Sequence, residues 1–83
     1  MSTLQKDLQR LKSQPKDYHW SELMSLLGRL NYEVKQGEGS RVKFYHKETN
    51  SLITLHRPHP QDILKHYAIK QVIQALQNAG FLL

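Results

Sequence analysis

The sequence contains no cysteine, so it can form no disulfide and offers no thiolate to a metal. That usage fits a reducing compartment. Prolines are few, at three, and glycines at four, so the places where they fall carry information. No apolar run approaches the ~20 residues a membrane-spanning helix requires. The first residues also lack the basic, apolar, small-residue order of a secretory signal. No membrane partner is therefore expected, and the expected location is cytoplasmic. Acidic residues are scarce too: 7 Asp and Glu stand against 12 Lys and Arg, a formal net charge of +5. On a chain of 83 residues that excess favours a polyanionic partner, either nucleic acid or an acidic protein. The length itself predicts one small domain that buries only about 60% of its unfolded surface.

What is present divides cleanly along the chain. Residues 2–13 predict a short helix, with Ser2 and Gln5 at the spacing of a capping box and Leu4, Leu8 and Leu11 on one narrow stripe. Such a helix must dock, either on its own domain or on a partner. Pro15 breaks it. A second helix runs from His19 or Trp20 to Leu30, with Glu22 near its start. Trp20, Leu23, Met24, Leu27 and Leu30 form its broad core face. Asn31 suits the left-handed turn that ends a helix. Alternation over residues 32–36 predicts a strand, and the Gly37/Gly39 turn reverses it. Two further strands follow, Arg41 to His46 and Ser51 to His56, joined by the four-residue loop Lys47–Asn50. A last helix runs from Leu64 or Lys65 to Asn78 on an Ile69, Val72, Ile73, Leu76 stripe and ends at Gly80. There is no internal repeat and no low-complexity segment.

The four-residue loop predicts a register. If His46 faces Ser51, Phe44 faces Ile53 and Val42 faces Leu55, so the apolar pairs share one face for helices to cover. The other face then carries Tyr45 opposite Leu52, Lys43 opposite Thr54, and Arg41 opposite His56. The resulting fold class is α+β, two-layered, with an antiparallel three-stranded sheet. Its order is the α-β-β-β-α layout of double-stranded-RNA-binding domains with an extra N-terminal helix. Residues 1–16 form that helix and a linker, and residues 17–83 form the domain.

Several chemistries are disfavoured. His56 and His59 are three apart but bracket Arg57 and Pro58, no His-x-x-x-His pair exists, and no metal or cofactor is expected. Ser40 lacks a strand–turn–helix nucleophile elbow. The Gly37/Gly39 pair opens a strand, whereas a dinucleotide fingerprint opens a helix. Nucleic-acid binding has better support. Arg41, Lys43 and Arg57 are suited to phosphates, Tyr45 to stacking, and the Gly39–Ser40 turn to backbone contacts. A solvated polar sheet face is the plainer alternative. Histidine beside cations is also the arrangement of metal-free RNA cleavage, because an imidazole with an unperturbed pKa of ~6.5 accepts the ribose 2′-OH proton. His56, on the open face beside Arg41, is the lead candidate. His46 and His59, at the rim of the sheet, are runners-up.

Together these residues resemble a known family, the HicA-type toxins of bacterial toxin–antitoxin pairs, over about residues 19–82. The resemblance rests on Trp20-Ser21-Glu22-Leu23, Leu30-Asn31-Tyr32-Glu33, and the Gly39-Ser40 turn before a strand carrying Phe44 and His46. It continues through His59-Pro60 and the closing Gln77-Asn78-Ala79-Gly80-Phe81-Leu82. The resemblance implies a double-stranded-RNA-binding-like fold, an endoribonuclease acting on mRNA, and neutralisation by a HicB-type antitoxin. It also implies a catalytic histidine within two positions after the Gly-Ser pair. Here Arg41 and Val42 occupy those positions, and a guanidinium is no general base. Two readings follow: a toxin that cuts mRNA through another histidine, or a non-catalytic RNA- or antitoxin-binding module of the same fold.

Overall fold

The computed structural model describes residues 4–82. Three helices and three strands follow one another as α1 (Leu4–Lys12), α2 (Trp20–Arg29), β1 (Glu33–Gln36), β2 (Arg41–His46), β3 (Ser51–His56) and α3 (His66–Asn78). The α+β order α-α-β-β-β-α is the one the sequence predicts. The Ser2–Gln5 capping pair lies outside the described residues.

The sheet is a plain antiparallel meander, β1-β2-β3. All six pairs of the expected β2–β3 register occur, from Arg41 opposite His56 to His46 opposite Ser51. Val42, Phe44, Ile53 and Leu55 are consequently buried together with the helices' apolar faces. Trp20 of α2 packs its ring 5.7 Å from that of Phe44, which seats the helix on the sheet. On β3's outer edge the Gln71 side-chain amide of α3 donates to the Thr54 carbonyl at 2.9 Å, occupying an acceptor that would otherwise face solvent.

Each helix ends on a residue in the left-handed region: Gln14 (φ 56), Asn31 (φ 71) and Gly80 (φ 88). After α2, Tyr32 N–H donates to Leu27 C=O at 3.0 Å and Asn31 N–H to Gly28 C=O at 3.1 Å. After α3, Phe81 N–H donates to Leu76 C=O at 2.9 Å and Gly80 N–H to Gln77 C=O at 3.1 Å. Both sets are Schellman closures that satisfy carbonyls left over by the helix. The first explains why α2 stops at Arg29 and β1 starts at Glu33: Leu30, Asn31 and Tyr32 make the closure. After α1, Gln14 N–H donates to Leu11 C=O at 2.9 Å, and the next residue, Pro15, has no N–H for a second bond.

α1 docks on its own domain. Leu8 and Leu11 are buried in the same core as α2, α3 and the sheet. Arg10 reaches Glu22 at 2.9 Å, and Arg29 pairs with Asp7. These ion pairs are exposed and add little, so the leucines hold the helix in place. The prediction is that Leu11→Ala lowers unfolding free energy by about 3 kcal/mol, measured by urea denaturation, whereas Arg10→Ala costs under ~1 kcal/mol.

Candidate nucleic-acid interface

The turn before β2 is shaped by two glycines with different tasks. A Cβ on Gly37 would sit 3.1 Å from the Arg41 carbonyl oxygen, a tight contact that the backbone would have to yield to by a few tenths of an ångström. That closeness accompanies the 2.8 Å bond from Gly37 N–H to the same carbonyl. Gly39 takes the left-handed region at φ 62, where other residues are strained. The turn delivers Ser40 to the end of the β2–β3 ladder. Arg57 N–H then donates to Ser40 C=O at 2.8 Å, extending the ladder past the formal end of both strands.

That last rung brings two side chains together. Ser40 Oγ and His56 Nδ1 lie 3.3 Å apart, at hydrogen-bond length. Among the described residues Nε2 of His56 has no protein partner. The imidazole is exposed, and Arg41 is its cross-strand neighbour.

A cleft of about 190 Å³ opens here, lined among others by Ser40, His56, Arg57, His59, Lys65 and Tyr67. Its far wall is the connector between β3 and α3. That wall is stitched to the start of α2: Trp20 N–H donates to Asp62 C=O and Leu64 N–H to Tyr18 C=O, each at 2.8 Å, around the His19–Ile63 bridge. This extended pairing is why α3 starts at His66, not at Leu64 or Lys65 as the periodicity suggests. His66 Nε2 additionally bonds Gln14 Oε1. Beyond the connector, a shallower depression of about 410 Å³ shares Pro58, His59, Leu64 and Lys65 with the cleft.

The cleft is electropositive. Arg57, Lys65 and Arg41 stand at or beside it, and α3 begins there with no acidic residue in its first turn and no side-chain cap on its N–H groups. The only carboxylate within ion-pair distance of these cations among the described residues is Asp62, 3.9 Å from Arg57 Nε and exposed, so the pair is loose. By contrast, the cleft of about 380 Å³ between α1 and α2 holds charges that cancel one another. Among the described residues no group of three or more His, Asp or Glu is placed to hold a metal ion.

The structure thus gathers some of the expected residues and separates others. Ser40, His56, Arg57 and His59 share the cleft, with Arg41 beside it. Lys43 and Tyr45 lie further along β2 on the open face, each two residues beyond the last. The Tyr45 hydroxyl donates to Asn50 at the opposite end of the hairpin. His46 is not on a rim. It is 5% exposed on the helix-covered face, wedged edge-on against Tyr32 and Phe81 with ring centroids 5.1 Å away in each case. Its Nδ1 accepts the Thr49 N–H at 3.2 Å and lies 3.0 Å from Thr49 Oγ1, so the other ring nitrogen carries the proton. Close by, the Tyr32 hydroxyl is raised above its usual range by burial, opposed by its hydrogen bond to Ser51.

Lys65 and Tyr67 are cleft residues that the sequence reading did not single out. A signal existed for Tyr67: it lies off the Ile69, Val72, Ile73, Leu76 stripe, an aromatic on the polar side of its helix.

The site and fold define a small α+β domain with a basic, histidine-bearing cleft at the mouth of a β-hairpin. The family profile described as HicA toxin of bacterial toxin-antitoxin matches residues 20–81, most of the chain, and the protein belongs to that family. No curated protein and no solved structure gives a match. α1 lies before the matched region, and Arg41 follows Gly39-Ser40 inside it.

His46 and His56 separate in one experiment. His46→Ala is expected to lower stability by roughly 2 kcal/mol, a fall in Tm of about 10 °C, because it empties a packed site and strands the Thr49 N–H. His56→Ala is expected to leave Tm within about 2 °C, since the ring is exposed. Thermal unfolding followed by circular dichroism reads both.

Proposed function

We propose that this chain is the toxin of a type II toxin–antitoxin pair, a metal-independent endoribonuclease that cuts mRNA and is neutralised by a HicB-type antitoxin. The observation that supports it best is the cleft in which Ser40, His56, Arg57, His59 and Lys65 converge. With Nδ1–H donating to Ser40 Oγ, the imidazole of His56 is left with its Nε2 lone pair available as a base. The ribose 2′-oxygen attacks the adjacent phosphorus while its proton passes to His56. The bond to the 5′-oxygen breaks, and that oxygen takes a proton from His59 or water. A 2′,3′-cyclic phosphate and a 5′-hydroxyl result. Arg57, Lys65 and Arg41 stabilise the charge that grows on the non-bridging oxygens. Lys43 and the Gly39–Ser40 turn extend phosphate contact along the strand. Ser40 is a positioning residue in this scheme. His46, packed in the core, takes no proton from substrate.

Arg41 favours a second reading. It stands where the family's histidine is expected, which suits a non-catalytic module that binds RNA or the antitoxin. The division of the chain into residues 1–16 and a family unit of 17–83 is also a proposal. It is tested by whether a chain starting at residue 17 still folds and binds.

Induced expression in a bacterium, with growth and transcript length followed together, decides between the readings. The wild type is expected to arrest growth and shorten transcripts. His56→Ala is expected to slow cleavage by about 10²–10⁴-fold, the usual worth of a general base, and Ser40→Ala by less. Wild-type protein that leaves transcripts intact while still binding RNA or the antitoxin would establish the second reading. Full potency in His56→Ala would remove His56 from the mechanism and leave the class standing. Co-expression of an antitoxin-sized neighbouring gene product is expected to restore growth.

A further inference from the structure

The four tyrosines differ in one respect. Tyr18 is 2% exposed, with the Arg10 guanidinium 5.6 Å over its ring. Tyr32 is buried and donates to Ser51. Tyr45 donates to Asn50. Tyr67 alone is without such a partner: it is 63% exposed, and no described residue holds its ring or hydroxyl. An isolated exposed aromatic is ordinary on a protein surface. This one, however, sits in the first turn of α3 and lines the cleft beside His56, Arg57, His59 and Lys65.

We propose that Tyr67 stacks one unpaired nucleobase of a single-stranded RNA whose adjoining phosphate lies in this cleft. The inference rests on the reading of the cleft as an RNA site. Cations neutralise phosphate but do not hold a nucleotide in one orientation. A flat, two-torsion aromatic beside them does so, because every base has a π-face. Duplex RNA does not satisfy the site, since its bases are already stacked and paired. Tyr45, the stacking residue expected from sequence, lies about 13 Å along the strand from Arg41 at ~3.3 Å per residue. It also has its hydroxyl engaged at the far end of the hairpin. Tyr67 is therefore the aromatic at the cleft, and the RNA path runs from the β-hairpin mouth toward the start of α3.

The test is fluorescence anisotropy with a labelled 2′-O-methyl RNA 10-mer, which lacks the attacking hydroxyl and stays intact. Wild type, Tyr67→Phe, Tyr67→Ala and Arg57→Ala are compared across a salt series, together with 10-mers carrying one abasic position. Tyr67→Ala is expected to weaken binding about 5- to 100-fold with an unchanged salt slope, and Tyr67→Phe to stay within about twofold of wild type. One abasic position is expected to weaken wild type by a similar factor and to leave Tyr67→Ala indifferent. This arm changes the RNA and not the protein, so a folding defect cannot mimic it. Unchanged binding by Tyr67→Ala alongside weakened binding by Arg57→Ala would overturn the stacking role while the RNA reading stands. Equal losses in Tyr67→Phe and Tyr67→Ala would assign the contact to the hydroxyl and overturn stacking. Wild-type protein that binds no RNA would overturn the RNA reading and the role of Tyr67 with it.

Discussion

The pairing of β2 with β3 is the constraint on which the rest of the molecule depends. Side chains on a strand alternate, so one register puts Val42, Phe44, Ile53 and Leu55 under the helices and any odd slip puts them in water. The same register sets Arg41 across from His56 and lets Arg57 N–H reach Ser40 C=O. Core and cleft are thus two sides of one ladder. Burying the apolar side is worth several kcal/mol, which is far more than the polar side needs to be held in its arrangement. The folding energy of the hairpin is also what positions the site.

Much of this was legible from the residue pattern. The loop length and the two apolar alternations determine the register, and Asn31 and Gly80 end their helices as their conformational freedom suggests. His46 shows a limit of reading residue types before positions. It shares parity with Phe44 and Val42, so the period that buries them buries it as well. Chemistry made it a candidate, while alternation placed it between Tyr32 and Phe81. The end of α1 was legible from Pro15, but the left-handed backbone of Gln14 was not, because a following proline by itself favours an extended residue.

The far wall of the cleft was not legible for a different reason. Nothing local in Ile63-Leu64-Lys65 separates an extended segment from a first helical turn. The decision comes from residues more than forty positions earlier, where Tyr18 and Trp20 supply partners for Leu64 and Asp62. Such a non-local pairing overrides helical periodicity, which is only a weak preference over a single turn. Lys65 and Tyr67 were missed in consequence, since their approach to Ser40 and His56 depends on where α3 begins.

That stitching has a mechanical meaning. A cleft wall formed by a free loop would sample many shapes and lose that freedom when something bound. Here the wall is bonded to the entry of α2, whose Trp20 is itself packed on Phe44 in the core. Residues 62–64 of the wall are therefore tied to the core, and moving that part outward means breaking these bonds. Such a surface selects partners by fit to a preset shape, with little ordering cost left to meet on contact.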